Sequence, residues 1–253
     1  MLDVPLPRDP EDRLWIAPHD VLFHVPWPAL PVASGESLVE SARFTLIPGA
    51  AAGAVLLQEA PRCPATAALS GSPSRDLPLV ERELQELGET IPGARVVDPV
   101  GRNGFLEILG EHELVHLAGH AVFLDGLPMA SGLHTSGEYV SVHDLAATRM
   151  AARFVSFGVC SGLRVAPAEG GRYAGFLLAL MAGGVRTVTG PVAPVTDLAA
   201  YTFDLRFHQV LSHTGDPSRA YGDAIAAVRE LDPSPGVWGN FPLYGDHRSW
   251  TIQ

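Results

Sequence analysis

Lysine is absent from this chain of 253 residues, and all 17 basic residues are arginine. Without a lysine amine, the chain cannot form a lysine Schiff base, a serine–lysine dyad or the lysine contact of a phosphate-binding P-loop. The formal net charge of -11 argues against a nucleic-acid partner. Binding a nucleic-acid backbone needs a stripe of basic residues, and no such stripe is visible in the sequence. These absences exclude several enzyme classes and predict no nucleic-acid partner.

Long apolar runs and cysteines are also scarce. No stretch approaches the ~20 apolar residues that span a bilayer. Residues Met1 to Asp12 are rich in proline and aspartate and do not resemble a basic and then apolar leader. With Cys63 and Cys160 as the only cysteines, a disulfide framework and a four-cysteine zinc site are excluded. We therefore expect a cytoplasmic protein with no membrane partner.

The chain does contain an alternation of strand and helix patterns. From about residue 65, apolar runs alternate with amphipathic stretches, which predicts an α/β fold with a mainly parallel sheet and helices on both faces. Upstream, 13–30 predicts two short strands around a turn. The other predicted elements are strands at 42–47, 65–72, 94–99, 113–121, 152–160 and 185–192, a hairpin at 131–141, helices at 50–59, 77–89, 103–111, 142–148, 171–184, 197–213 and 217–231, and a closing strand at 237–246.

Two of the predicted strands end at residues with complementary chemistry. Cys160 ends one apolar strand, and His120 ends another, earlier in the chain. A thiol becomes a strong nucleophile when a nearby imidazole takes its proton, and the same imidazole can then protonate a leaving amine. If the strands are parallel neighbours, about 4.8 Å apart, the two side chains emerge at one edge. The pattern predicts a Cys160–His120 dyad in the order found in caspases.

The sequence around this pair resembles a known family. ELVHLAGHAVF, LPMASGLHTSGEYVSVHDLA, FVSFGVCSGLR, GFLLALMAGGVRTVTGPVAPVTD and WGNFPLYGD are similar to consecutive blocks of CHAT domains. The resemblance implies a three-layer αβα caspase-hemoglobinase-like fold, with a tail at residues 1–12 and one peptidase domain at 13–253. It also implies a cysteine endopeptidase that cleaves a specific protein partner in bacterial signalling or defence, with Cys160 as nucleophile and His120 as base.

The same resemblance implies an oxyanion hole made of backbone N–H groups. In this clan the donors are the nucleophile and the residue after the base, here Cys160 and Ala121. The residue after the base is usually glycine, and the methyl group of Ala121 adds bulk at that position. Ser161 stands where relatives commonly carry an acidic residue. A catalytically silent CHAT-like module that binds a partner is therefore an alternative function.

Asp197 is a candidate for a substrate pocket. It follows a predicted strand, and its Val-Thr-Asp context resembles that of arginine-cleaving relatives of the clan. A partly buried carboxylate can bind a guanidinium through both oxygens. The competing interpretation is a helix cap, since Thr196 and Asp197 precede a predicted helix and both residue types favour that position.

A second alternative is a hydrolase whose nucleophile lies on a sharp strand–helix turn. Gly158, Cys160 and Gly162 match such a motif with cysteine in place of serine, and Asp223 and His247 could supply its acid and base. This motif requires a helix directly after the nucleophile.

The remaining histidines predict no metal site, and the sequence predicts no cofactor. His116 and His120 have the spacing of a zinc pair on a helix, but their segment is strand-like and no third ligand stands nearby in the sequence. His116 is expected to be a packed or hydrogen-bonded support residue. The other histidines are expected to be solvent-facing or to cap helices, among them His208 and His247, and the glutamates of 79–89 are expected to form a solvated helix surface.

Overall fold

A computed structural model describes residues 6–7, 9, 12–97, 101–168 and 172–252. Its strands are β1 (Arg13–Ile16), β2 (Arg43–Leu46), β3 (Ala67–Gly71), β4 (Ala94–Val97), β5 (Leu114–Gly119), β6 (Ala121–Val122), β7 (Gly132–His134), β8 (Tyr139–Ser141), β9 (Phe154–Val159), β10 (Ala166–Ala168), β11 (Arg172–Ala174), β12 (Thr187–Thr189) and β13 (Leu243–Gly245). Its α-helices are α1 (Leu38–Ser41), α2 (Ala50–Leu57), α3 (Val80–Thr90), α4 (Arg102–Glu111), α5 (Val142–Ala146), α6 (Phe176–Ala182), α7 (Asp197–Thr214), α8 (Pro217–Leu231) and α9 (Pro235–Trp238). None of these helices is both long and apolar enough to cross a membrane.

An eight-stranded sheet with the order β1-β2-β13-β12-β9-β5-β3-β4 forms the centre of the described chain. Each pairing in it is parallel except that of β12 with β13. β5 and β9 lie side by side near the middle, and Gly119 is opposite Val159 at their carboxyl ends. The predicted mainly parallel sheet is confirmed, and the strands that lead to His120 and Cys160 are neighbours.

Helices cover both faces of this sheet. All residues of β3 and β5 are buried, as expected for parallel strands that pack on two sides. Successive side chains of a strand point to opposite faces. Accordingly, Phe154 of β9 contacts Phe207 of α7, whereas Phe157 contacts Phe176 of α6. α3 and α8 pack beside α7, so the three-layer αβα architecture is confirmed.

The segment 13–30 differs from its prediction of two strands. Only Arg13–Ile16 is a strand, and it pairs in parallel with β2 at the sheet edge. Short 3-10 helices at Asp20–His24 and Trp27–Ala29 follow it. The prolines of this segment lack the N–H group that a second ladder would need. The predicted tail at 1–12 lies largely outside the described residues.

The region after Cys160 also differs in detail. The predicted helix at 171–184 begins only at Phe176, because Arg172–Ala174 forms an antiparallel hairpin with Ala166–Ala168. The tip of that hairpin, 169–171, lies outside the described residues. The hairpin predicted at 131–141 is confirmed, since β7 and β8 pair antiparallel, and β6 adds a third strand to them.

Asp216 connects the first strand to helix α8. As the N-cap of α8, its carboxylate accepts hydrogen bonds from the backbone N–H groups of Ser218 and Arg219 at 3.0 and 3.1 Å. Both of its oxygens accept from the Arg13 guanidinium, at 3.2 and 3.1 Å. Burial alone would raise the pKa of Asp216, but the hydrogen bonds from Arg13 and Ser218 lower it well below its usual range.

Acid is therefore expected to weaken the fold through Asp216. Because its pKa is lower in the folded than in the unfolded state, where it is about 3.9, its stabilisation is complete above that value. The stabilisation is lost as the pH falls toward the folded pKa. Asp216→Asn should lower the free energy of unfolding at pH 7 by about 1–3 kcal/mol, and by clearly less near pH 2.5. Urea unfolding measures both, with Glu230→Gln on the exposed side of α8 as control. An equal loss at both pH values would contradict the prediction.

Candidate active site

His120 and Cys160 follow the carboxyl ends of the two central strands. Because Gly119 and Val159 are paired, the next residue of each chain leaves the sheet at the same level of the same edge. Carboxyl ends of parallel strands are where α/β folds place functional groups. Both side chains are partly exposed at this edge.

Cys160 lies in a tight turn. The N–H of Gly162 donates to the carbonyl of Val159 at 2.9 Å, and Ser161 between them has a φ of 58°. This combination is the pattern of a type II turn, whose third position normally carries glycine. The N–H of Leu163 donates to Pro191, just after β12, at 3.1 Å and fixes the turn against the neighbouring strand. Local strain of this kind persists where surrounding structure holds a functional residue in place.

The Cys160 thiol donates to the backbone carbonyl of Val195, with a sulfur–oxygen distance of 3.4 Å. Val195 belongs to the segment between β12 and α7, which therefore borders the thiol. Within the described residues, no hydrogen bond joins the thiol directly to the ring of His120. The structure places both groups at one edge, each with a different partner.

The His120 ring is held by the loop after β3, the strand on the other side of β5. Its Nε2 atom lies 3.1 Å from the Ser74 hydroxyl and 3.3 Å from Oδ2 of Asp76. The Ser74 hydroxyl also donates to Asp76 at 2.8 Å, and this hydrogen bond is the main reason that the pKa of Asp76 is lowered. The carboxylate is 73% exposed and the imidazole 39%. Asp76 is thus in position to orient the ring.

Ala121 lies on the outer strand of the three-stranded sheet β6-β7-β8. The N–H of His134 donates to the carbonyl of His120 at 2.9 Å, so these two residues form a hydrogen-bonded antiparallel pair. In such ladders hydrogen-bonded and non-hydrogen-bonded pairs alternate. The next pair, Ala121 with Leu133, is therefore a non-hydrogen-bonded pair, and the Ala121 N–H points away from β7. This direction leaves it accessible as an oxyanion donor.

Asp197 is the first residue of α7, and Thr196 is the N-cap. The Thr196 side chain accepts from the N–H of Ala199 at 3.2 Å. Asp197 instead reaches across to α3, where its Oδ2 accepts from the N–H of Leu79 at 2.8 Å. The carboxylate is partly exposed and lies two residues from Val195, the partner of the Cys160 thiol.

Arg164 connects the loops that follow the two central strands. Its guanidinium pairs with Asp125 at 2.7 Å and lies 5.1 Å from the centre of the Phe123 ring. The chain that follows His120 carries exposed apolar side chains, including Leu127 at 67% exposure. These residues, Val122, Leu124, Leu127 and Met129, are here named the apolar rim.

Sequence reasoning missed two groups of polar residues. Ser74 and Asp76 escape notice because only the strand order brings their loop to β5. The second group, here named the buried polar cluster, lies between the sheet and the helices α3 and α7. Its members are Glu83, His116, Ser156, Asp204 and His208, all fully or almost fully buried. His116 is hydrogen-bonded, as expected. His208 was predicted to be exposed or to cap a helix, and Glu83 to be exposed; both predictions are wrong, because both side chains are buried.

The strand–helix turn alternative finds no support in the geometry. After Cys160 come a turn and the β10–β11 hairpin, and α6 begins only at Phe176. Asp223 pairs with Arg206 at 3.8 Å on the helices α7 and α8. His247 is buried, in contrast to its predicted exposure, and stacks edge-on against Trp15 at 5.5 Å. Burial lowers the pKa of His247 to about 3.

Comparisons with known proteins agree with this architecture. The family model described as CHAT domain matches residues 2–246, whereas a search of curated proteins finds no match. The fold is similar to that of separase in the Saccharomyces cerevisiae separase–securin complex, with a TM-score of 0.68 and 17% identity, covering 91% of this chain and 15% of that one. It is also similar to Porphyromonas gingivalis RgpB in the complex of its pro- and mature domains, with a TM-score of 0.52 and 11% identity, covering 72% and 47%.

At such identities the structural likeness is one of fold, and this chain spans 15% of the separase chain that it matches. The family model, in contrast, covers nearly the whole sequence. The ordered sequence blocks and the caspase-like three-layer architecture lead to the same assignment: the chain belongs to the CHAT domain family.

Proposed function

We propose that this chain is a cysteine endopeptidase that cleaves a specific protein partner with Cys160 as nucleophile and His120 as general base. The observation that carries the proposal is the pairing of β5 with β9, which brings both residues to one edge at the same level. The peptidase domain would comprise residues 13–253, preceded by a tail at 1–12, and act in the cytoplasm in bacterial signalling or defence.

In the proposed reaction, His120 takes the thiol proton and the sulfur attacks the peptide carbonyl. Nε2 of His120 faces Ser74 and Asp76, so Nδ1 is the nitrogen that receives the proton. The thiol must first leave the carbonyl of Val195. The N–H groups of Ala121 and Cys160 bind the developing oxyanion, and the imidazolium protonates the leaving amine. Water then hydrolyses the acyl-enzyme.

The substrate is proposed to be a protein segment that lies over the apolar rim around His120. The solved relatives support a protein partner to this extent: one is a separase–securin complex, and the other is a complex of pro- and mature domains. Asp197 is proposed to bind a basic side chain on the amino side of the cleaved bond, because it is partly exposed and lies two residues from Val195, whose carbonyl accepts from the thiol. An activating partner could act by releasing the thiol from Val195.

The test is to incubate the protein with a diverse peptide library and to map cleavage sites by mass spectrometry. Cys160→Ala serves as the blank, since it retains every contact except those of the sulfur. Cleavage by the wild-type chain alone supports the proposal and gives the residue preference. Equal cleavage by both proteins would refute it.

A second candidate function is a silent CHAT module that binds a partner without cutting it. Two observations favour this alternative: the thiol donates to a carbonyl instead of to an imidazole, and the residue after His120 is alanine, where the family resemblance leads us to expect glycine. In that case Cys160 would be an ordinary thiol. Its reactivity therefore distinguishes the two functions.

We expect Cys160 to be alkylated by iodoacetamide at pH 7 at least ~10-fold faster than Cys63, because His120 can act as the base that takes its proton. Cys63 provides an internal control, since it is the more exposed thiol. Mass spectrometry of the two peptides over time gives both rates. His120→Ala should abolish the difference, whereas equal rates in the wild-type protein would favour the silent module.

A further inference from the structure

The buried polar cluster combines four ionisable side chains with no access to solvent. Glu83 of α3, His116 of β5, and Asp204 and His208 of α7 are each at most 1% exposed. Burying charges is costly unless they are paired or bind a metal. His116 and Ser156 are paired in the ladder between β5 and β9, so their side chains lie on the same face of the sheet.

Within the described residues, every ionisable member of the cluster has a polar atom without a hydrogen-bond partner. These atoms are Glu83 Oε1, His116 Nε2, both carboxylate oxygens of Asp204 and His208 Nδ1. Glu83 Oε1 and His116 Nε2 are 2.8 Å apart but lack the alignment of a hydrogen bond. The ligand atoms of His116, Asp204 and His208 all lie within 4.8 Å of one another. Buried polar atoms normally have partners, so this convergence needs an explanation.

The Ser156 hydroxyl contacts one ring nitrogen of each imidazole in the cluster. Its oxygen is 2.8 Å from Nδ1 of His116 and 2.9 Å from Nε2 of His208. One hydroxyl oxygen has two lone pairs and can accept an N–H from each ring. In that arrangement Nε2 of His116 and Nδ1 of His208 carry no proton and direct their lone pairs toward the carboxylates. Metal-binding histidines are typically fixed by such a hydrogen bond at the opposite nitrogen.

The charges also suit a cation. Two buried carboxylates would balance the charge of one divalent ion. Both carboxylates approach Gly158 closely, since a Cβ there would lie 3.1 Å from Glu83 Oε1 and 3.2 Å from Asp204 Oδ2. A cavity of about 540 Å³, lined by residues such as Leu114 and Leu211, extends to His208.

We propose that His116, Asp204 and His208 bind one divalent transition-metal ion of the zinc type, with the Glu83 carboxylate beside them. Imidazole nitrogens and carboxylate oxygens are both ligands that Zn²⁺ accepts. The site is closed, since all four side chains are buried, and its role is structural. The sequence analysis predicted no metal site because the histidine spacing suggested His120 as the partner of His116. The other residues of the cluster instead come from helices that only the fold brings to His116.

The test uses the full chain with Cys63→Ser and Cys160→Ala, which removes both thiols as competing ligands. This background protein is freed of metal by dialysis against a chelator and then titrated with Co²⁺ and Zn²⁺. We expect one equivalent of Co²⁺ with the absorption spectrum of tetrahedral coordination, and Zn²⁺ should displace it. Zn²⁺ should also raise the melting temperature. Failure to bind one equivalent would overturn the proposal, whatever the peptidase activity of the chain.

Variants in the same background locate the site. Asp204→Asn should weaken Zn²⁺ binding at least ~100-fold, and Ser156→Ala, which removes only the supporting hydroxyl, by about 10–100-fold. Asp223→Asn on α8 and His120→Ala at the candidate active site are matched controls that should bind normally. Circular dichroism checks the fold, and Ser156→Ala decides the outcome if Asp204→Asn does not fold. Unchanged affinity in Ser156→Ala, or equal loss in His120→Ala, would contradict the assignment.

Discussion

Cys160→Ala and His120→Ala are each expected to reduce kcat/KM for peptide cleavage by about 10⁴-fold or more, because nucleophile and base act as one unit. For the same reason the double variant should lose little beyond either single variant. The structure supports this expectation through the equal register of β5 and β9 at the edge where both residues emerge. Rates are measured with the best library peptide, and circular dichroism confirms that the variants are folded.

Matched control variants distinguish loss of the dyad from loss of activity through disruption of the fold. Cys63→Ala and His213→Ala replace exposed residues of the same types, and both variants should remain fully active. His247→Ala, which tests the strand–helix turn alternative, should keep its activity to the extent that it folds. Full activity of His120→Ala together with an inactive but folded His247→Ala would reject the proposed dyad.

The sequence predicted the features that depend on local patterns. The strands that lead to His120 and Cys160 are long apolar runs, so their burial and their parallel pairing follow from composition and from the βα alternation. The end of each run also marks the residue that leaves the sheet. The CHAT resemblance added the identity of the family, which the match over residues 2–246 confirms.

Features that depend on strand order or on packing of distant elements could not be predicted. Asp76 reaches His120 only because β3 lies beside β5. In VERELQELGET the alternation of glutamate with apolar residues indicates a solvated face, yet Glu83 points inward, and its Oε1 lies 2.8 Å from Nε2 of His116 on β5. His208 is similarly buried through a contact with Ser156. A sequence pattern records the period of a helix but not the chemistry of what packs against it.

Asp197→Asn is expected to weaken cleavage after arginine by about 2–5 kcal/mol of transition-state stabilisation, the cost of removing one member of a buried charge pair. Asparagine keeps an oxygen that can accept the hydrogen bond from Leu79, so this variant removes the charge and leaves the contact to α3 in place. The alkylation rate of Cys160 should stay unchanged. The measurement is the library profile of the variant beside that of the wild-type protein.

Thr196→Ala provides the matched control, because Thr196 is the N-cap of α7 and Asp197 is not. Loss of the Thr196 cap should lower the free energy of unfolding by about 0.5–2 kcal/mol without changing the residue after which the protein cleaves. Asp197→Ala should in addition destabilise the fold, since it removes the acceptor for Leu79. A wild-type profile with cleavage only after aspartate or apolar residues would exclude a basic pocket at Asp197.

The position of β13 between β12 and β2 has a consequence for how the protein is made. β1 and β2 are synthesised long before β13, yet in the described sheet their ladder reaches the other strands through β13. The hydroxyl of Thr45 donates to the carbonyl of Leu243, 198 residues later. Closing so large a loop is slow, and until β13 arrives both β2 and β12 have an unpaired edge. The nascent chain therefore passes through a stage in which it is open to strand-mediated association, and the pairing of β13 ends that stage.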